Sequence, residues 1–104
     1  MFGWGVKTVS VDALADALAQ GKPVLIDVRE PSEFSSGHVK GAVNVPLGKL
    51  VGRLDKFDPH AETYVICQSG RRSVTAVRFL KGAGFEHAYS VKGGTSAWCG
   101  RLVR

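Results

Sequence analysis

Two short apolar runs, Val24-Leu25-Ile26 and Tyr64-Val65-Ile66, each end on a chemically active side chain, Asp27 in the first case and Cys67 in the second. A strand with one face in water alternates apolar and polar residues, whereas an unbroken apolar run of this length is how a strand covered on both faces reads. Segments with helical spacing separate the strand candidates. Val11, Leu14, Ala15 and Leu18 follow an N-capping Ser10, and Leu47, Leu50, Val51 and Leu54 predict a helix from Leu47 to Phe57. Ser73, Ala76, Val77, Leu80 and Ala83 predict another that opens at Ser73. Val6 to Val9, Ala42 to Val45 and Ala88 to Val91 are further strand candidates, Pro31 and Ser32 start a short helix, and Gly37 to Gly41 is a tight connection. Gly93-Gly94 makes a turn, and Thr95 to Gly100 holds one or two helical turns. Strands alternating with helices predict an α/β domain, a central parallel sheet covered by helices on both faces. Ligands of such sheets gather outside the carboxyl ends of the strands, where Asp27 and Cys67 fall.

A chain of 104 residues supports one hydrophobic core and no separate substrate domain, so residues 1–104 are expected to form a single domain with 1–5 as a short tail whose Phe2 and Trp4 pack onto it. Hydrophobic residues at 44% and charged residues at 22% suit a soluble globular protein. No run is long enough for a secretory or membrane-spanning segment, so a cytoplasmic location and no membrane partner are expected. Cys67 and Cys99 make neither a disulfide framework nor a metal cluster, and no metal is expected.

The net charge of +5 is unevenly placed. From Thr63 onward there are seven basic residues against the single acid Glu86, while Met1 to Glu62 carries seven basic and eight acidic residues. The positive excess therefore accompanies Cys67 and steers anions toward that half of the chain. Basic residues are not interleaved with aromatics on one short element, which argues against a nucleic-acid partner. Strand, loop and helix follow one another from Tyr64 to Ser73, so the loop amides of Gln68, Ser69, Gly70, Arg71 and Arg72 and the helix start at Ser73 should line an anion-binding concavity with Cys67 at its rim. The helix N-terminus and the cations Arg71 and Arg72 should lower the thiol pKa. Gly70 lets the backbone wrap around a sulfur atom.

These pieces together resemble the rhodanese (thiosulfate sulfurtransferase) family over nearly the whole domain. The resemblance rests on Leu25-Ile26-Asp27-Val28-Arg29-Glu30 with Glu33-Phe34, on Gly37-His38-Val39-Lys40-Gly41-Ala42-Val43-Asn44-Val45-Pro46, on the Cys67 loop, and on Gly93-Gly94 followed by Trp98. It implies a small three-layer rhodanese-like domain, present once, in which Cys67 accepts a sulfane sulfur and becomes a persulfide. The expected partners are a small anionic sulfur donor such as thiosulfate, a cyanide or thiol acceptor, and a sulfur-relay protein; no cofactor is required, and a monomer is expected. Gln68, Ser69, Gly70, Arg71, Arg72 and Ser73 are the expected substrate-binding residues, with Asp27, Arg29 and Glu33 in support. Asp27 is expected to accept hydrogen bonds from the loop or pair with an arginine, and Arg29 and Glu33 to form a buried ion pair. His38 is read as a hydrogen-bonding residue of the fold, Asn44 as a backbone-bonding residue, Trp98 as core, and Cys99 as a small packing residue rather than a resolving thiol.

A cysteine-dependent phosphatase or arsenate reductase is the nearest rival, because it also holds a thiolate in an anion loop. In such loops an arginine stands six residues after the cysteine to reach the oxyanion; here that place is Ser73, and the arginines come earlier. A non-catalytic binding module is the other alternative, and its expected sign, loss of the cysteine, is absent.

Overall fold

A computed structural model describes residues 6–104; the reading of Met1 to Gly5 as a packed tail lies outside them. In chain order the elements are β1 (Lys7–Val9), α1 (Val11–Gln20), β2 (Val24–Asp27), α2 (Pro31–Ser36), β3 (His38–Val39), β4 (Val43–Asn44), β5 (Thr63–Ile66), α3 (Arg71–Gly82), β6 (Ala88–Val91), α4 (Gly94–Ala97) and β7 (Leu102–Val103). Five strands form one sheet in the order β1-β6-β5-β2-β4, with every neighbouring pair parallel. The two strands that the sequence marks as doubly covered, β2 and β5, lie side by side with Ile26 opposite Val65 and Asp27 opposite Ile66. No described helix is long and apolar enough to cross a membrane.

The strand pleat decides which helix each side chain meets. Ile26, Val65 and Cys67 pack into one core with Ala76, Val77 and Leu80 of α3. Leu25, Tyr64 and Ile66 pack on the other face with Leu14 of α1 and Val91. Cys67 thus continues the β5 alternation and is sent to the α3 side, under the start of that helix. At the head of α1, the Ser10 hydroxyl accepts the Ala13 amide at 3.0 Å, the capping role expected of it.

Four features differ from expectation. The segment expected as a helix from Leu47 to Phe57 is two 3-10 turns, Leu47–Lys49 and Val51–Lys56. Gly48 and Gly52, one turn apart, weaken α-helical propensity, and Val51 is 69% exposed instead of facing the core. Helix α3 starts at Arg71 rather than Ser73, because Gly70 at φ +103° turns the chain into the helix directly behind the loop. The Gly37 to Gly41 connection contains β3, which pairs antiparallel with β7 through His38 opposite Val103 and Val39 opposite Leu102. Strands of two residues carry no periodicity that a sequence pattern can show. Trp98 is half-buried rather than core, packed against the α1-side cluster.

Ile26 is fully buried on the interior strand β2, between β5 and β4, so Ile26→Ala should lower the unfolding free energy by about 2–5 kcal/mol. Val51→Ala, at its exposed position, should change it by no more than about 0.5 kcal/mol. Urea unfolding of the two variants checks both values.

Candidate active site

The chain leaves β5 at Ile66 and reaches the bottom of α3 in four residues, so the loop closes tightly around the Cys67 side chain. The Gly70 amide donates to Cys67 Sγ at 3.1 Å and the Ser73 amide at 3.3 Å. The Ser73 hydroxyl lies 3.5 Å from the sulfur and 2.7 Å from the Ser90 hydroxyl on β6. Cys67 is 1% exposed, so it sits in the floor of the loop and not at the rim as expected. Burial pushes the thiol pKa up. Hydrogen bonds from the Ser73 hydroxyl and amide and from the Gly70 and Ser69 amides outweigh that effect and leave it below the ordinary thiol value.

The amides and the Ser73 hydroxyl lead this lowering, ahead of the arginines to which the sequence assigned a share. Arg72 is held by Glu33 in a two-pronged pair, Nη1 to Oε1 at 2.7 Å and Nη2 to Oε2 at 2.9 Å. Glu33 Oε1 also accepts the Glu30 amide at 3.0 Å. The Arg72 guanidinium first and the Glu30 amide second hold the Glu33 carboxyl down at about 2. Arg71 is exposed at the head of α3.

The ion pair expected between Arg29 and Glu33 does not form; each has a different partner. Arg29 Nη2 reaches Asp27 Oδ2 at 2.9 Å, and its Nε and backbone amide both donate to Asp27 Oδ1, at 3.1 and 3.0 Å. Asp27 is fully buried and Arg29 is 3% exposed. A carboxylate in that position needs an equally buried cation, and Arg29, two residues along the same chain, is the nearest one. Glu33, in the first turn of α2, instead faces Arg72 across the loop. Asp27 accordingly pairs with an arginine, one of the two uses expected of it.

Gln68, one of the expected substrate-binding residues, links two neighbouring side chains. Its Oε1 accepts Arg29 Nη1 at 3.2 Å and its Nε2 donates to Ser96 Oγ at 2.8 Å. Ser69 is exposed beside it. Three residues that the sequence did not single out complete the surroundings. The Thr95 amide donates to the Cys67 carbonyl at 2.8 Å, its hydroxyl reaches the same oxygen at 3.2 Å, and the Ser96 amide donates to the Gln68 carbonyl at 3.0 Å. Ser90, fully buried on β6, backs Ser73. The signal for Thr95 and Ser96 was the glycine pair before them. At Gly94, φ +59°, a β-carbon would overlap the Cys67 carbonyl oxygen and lie 2.8 Å from the Gln68 carbonyl group, so only glycine lets α4 approach the loop. Ser90 stands in an apolar strand with nothing to mark it.

The remaining residues support the fold. Asn44 Nδ2 donates to the Asp27 and Arg29 carbonyls at 3.0 and 2.9 Å, the backbone-bonding use expected of it. His38 Nδ1 is 2.9 Å from the Phe34 carbonyl, and its ring stacks on Phe34 with centroids 3.7 Å apart, again a bond within the fold. Cys99 is exposed rather than packed, its sulfur 3.9 Å from Asp12 Oδ1 at the start of α1, and the two cysteines form no disulfide. Two cavities, of about 650 and 530 Å³, lie elsewhere, and no residue of the Cys67 loop lines either.

A five-stranded parallel sheet whose central strand leads into a cysteine held by loop amides is the α/β architecture of the family that the sequence resembles. The chain belongs to the rhodanese family: the rhodanese-like domain matches residues 10–101. It is 41% identical over 81 residues to YqhL of Bacillus subtilis, covering 78% of this chain and 64% of that protein. It is 32% identical to the thiosulfate sulfurtransferase GlpE of Pseudomonas entomophila, covering 88% of this chain and 84% of that one. A rhodanese-like domain protein from Staphylococcus aureus superposes with a TM-score of 0.86 at 32% identity, over 94% of this chain and 97% of the other. Some relatives are much longer: the matched stretch is under two thirds of YqhL, and 23% of the adenylyltransferase and sulfurtransferase uba4 of Ogataea parapolymorpha.

Because its pKa lies below the ordinary thiol value, Cys67 should react with iodoacetamide along a pH profile whose midpoint falls below that of a free thiol. Removing the Ser73 hydroxyl by Ser73→Ala should move that midpoint upward, and Arg71→Ala should move it less; stopped-time alkylation read by peptide mass spectrometry, with Cys99 as the exposed internal reference, measures all three. Gly94→Ala should cost about 1–3 kcal/mol in urea unfolding through its left-handed backbone alone, and more to the extent that α4 is pushed off the loop.

Proposed function

We propose that the chain, acting as one domain, is a sulfurtransferase in which Cys67 is the nucleophile and carries the transferred sulfur as a persulfide. The observation that carries the reading is the convergence of the Gly70 and Ser73 amides on Cys67 Sγ at 3.1 and 3.3 Å. The Cys67 thiolate attacks the outer sulfur of thiosulfate; the sulfur–sulfur bond of the donor breaks, and sulfite leaves with its electron pair. In the second half-reaction cyanide or a thiolate attacks the terminal sulfur, and the Cys67 thiolate is the leaving group. The relay is covalent, with two half-reactions of the kind that alternate a free and a loaded enzyme. The amides of Ser69, Gly70 and Ser73 stabilise negative charge on the sulfur in both forms, since fixed donors in a water-poor site need no reorganisation as charge develops. A thiolate nucleophile needs no general base, and the lowered Cys67 pKa favours that form.

Within this reading the substrate-binding set divides. Arg71, exposed and outside any described ion pair, is the cation left to meet the incoming anion, and Arg72 acts with Glu33 to hold the loop. Gln68 positions the loop between Arg29 and Ser96. The name thiosulfate sulfurtransferase borne by relatives at 32% and 36% identity supports thiosulfate as the first donor to test. The phosphatase alternative is not favoured, because Ser73 stands where that chemistry needs an arginine, with its hydroxyl 3.5 Å from the sulfur.

Incubation with thiosulfate should add one sulfur atom to the intact mass at Cys67, and cyanide should then remove it as thiocyanate. Cys67→Ser should abolish both steps, and Arg71→Ala should raise KM for thiosulfate with less effect on kcat. Thiocyanate formation by Cys67→Ser at the parent rate would sink the proposal, as would phosphate-ester hydrolysis in the absence of sulfur transfer.

A further inference from the structure

A second site lies on the α1 side of the sheet, where the α1–β2 turn, the β3–β4 turn and the segment after α4 enclose a cavity of about 530 Å³. That size falls in the range of small-molecule pockets. Its floor is apolar: Leu18, Pro23, Val39 and Trp98 line it, with Val39 1% exposed and the other three half-buried. Its rim carries three exposed cations, Lys22, Lys40 and Arg101, and no carboxylate lines it. None of the three cations forms an ion pair within the described residues, in contrast to Arg29 and Arg72. The neighbouring cavity of about 650 Å³ shares Lys22 and Pro23 but is lined by Asp16 and Glu62 as well, so the single sign of charge belongs to this pocket and not to the whole surface. Trp98 adds a further unmet group: its indole N–H is buried and has no acceptor among the described residues.

We propose that this cavity binds a small amphipathic carboxylate, a medium-length alkyl or aryl chain bearing one acid group. The chain lies along Leu18, Pro23, Val39 and Trp98, and the carboxylate meets the cationic rim. Both halves are needed. Exposed ion pairs are weak by themselves, so a short carboxylate with no apolar body does not hold. An uncharged chain of equal length loses the three cations, the feature that distinguishes this pocket from its neighbour. The site contains no residue of the Cys67 loop, so its occupancy is independent of whether Cys67 transfers sulfur.

The test uses Trp98 as reporter. The chain has two tryptophans, so Trp4→Phe leaves Trp98 alone, and octanoate is titrated below its micelle concentration against Trp98 emission. Amide shifts of Lys22, Gly41 and Arg101 in the unsubstituted protein give the same reading without any tryptophan change. Octanoate should saturate the signal with an affinity about tenfold or more above that of octanol, and acetate should not saturate it. The triple variant Lys22→Gln, Lys40→Gln, Arg101→Gln should lose octanoate affinity about tenfold with an unchanged thermal midpoint, while Cys67→Ser should bind as the parent does. Equal binding of octanol and octanoate overturns the proposal, and so does undiminished octanoate binding by the triple variant or the absence of any shift at the three amides.

Discussion

The ion pair between Asp27 and Arg29 is the contact on which the upper end of the sheet depends. A fully buried carboxylate at the end of β2 would be costly alone, and the guanidinium that neutralises it has three further donors to place. One prong goes to the Gly37 carbonyl at 2.8 Å, which fixes the end of α2, and another to Gln68 at 3.2 Å, which fixes the loop after β5. Gln68 passes the restraint on to Ser96 and so to α4. Strand β2, helix α2, the cysteine loop and α4 are therefore joined through one planar group, and no other side-chain type offers that many donors in a rigid fork.

A second frame runs through backbone. The α4 segment gives its first free amides to the carbonyls of Cys67 and Gln68, so those carbonyls turn away from the sulfur while the amides of Gly70 and Ser73 turn toward it. An anion-binding loop requires this sorting, since a carbonyl oxygen facing the sulfur would raise the pKa that the amides lower. Gly94 is the point at which α4 comes close enough to do it. The half-buried Arg72–Glu33 pair closes the outside and contributes less than a fully buried one, because water still reaches both groups.

How much of this was legible in the sequence varies with the range of the signal. The apolar runs of β2 and β5, the Ser10 cap, the Pro31 start of α2 and the Cys67–Gly70 turn are local patterns, and each marks an element that is present. The parallel order of the sheet followed from alternation of strands and helices. The β3–β7 ladder depended on two dipeptides far apart in the chain, and the 3-10 turns on glycines interrupting an otherwise helical spacing. Ion-pair partners were the least legible. Arg29 and Glu33 have a helical separation of four, yet α2 begins only at Pro31, so Arg29 lies on the strand side of the boundary and belongs to Asp27. Ser90 was invisible because a serine in a strand carries no message until the fold sets it 2.7 Å from Ser73.

That contact between two buried hydroxyls has a directional property. A protonated Cys67 gives its hydrogen to Ser73, and an ionised Cys67 takes one from it. Ser73 therefore has to reverse its own hydroxyl when the sulfur changes charge, and it needs a neighbour that accepts in one state and donates in the other. Ser90 is such a neighbour, since either oxygen of the pair is able to be the donor. A backbone carbonyl in its place would only accept, and an asparagine would have to turn its whole amide over to change from acceptor to donor. With two hydroxyls in series the site accommodates both protonation states of the sulfur by rotating hydrogens alone, and the heavy-atom frame built on Arg29 and α4 stays where it is.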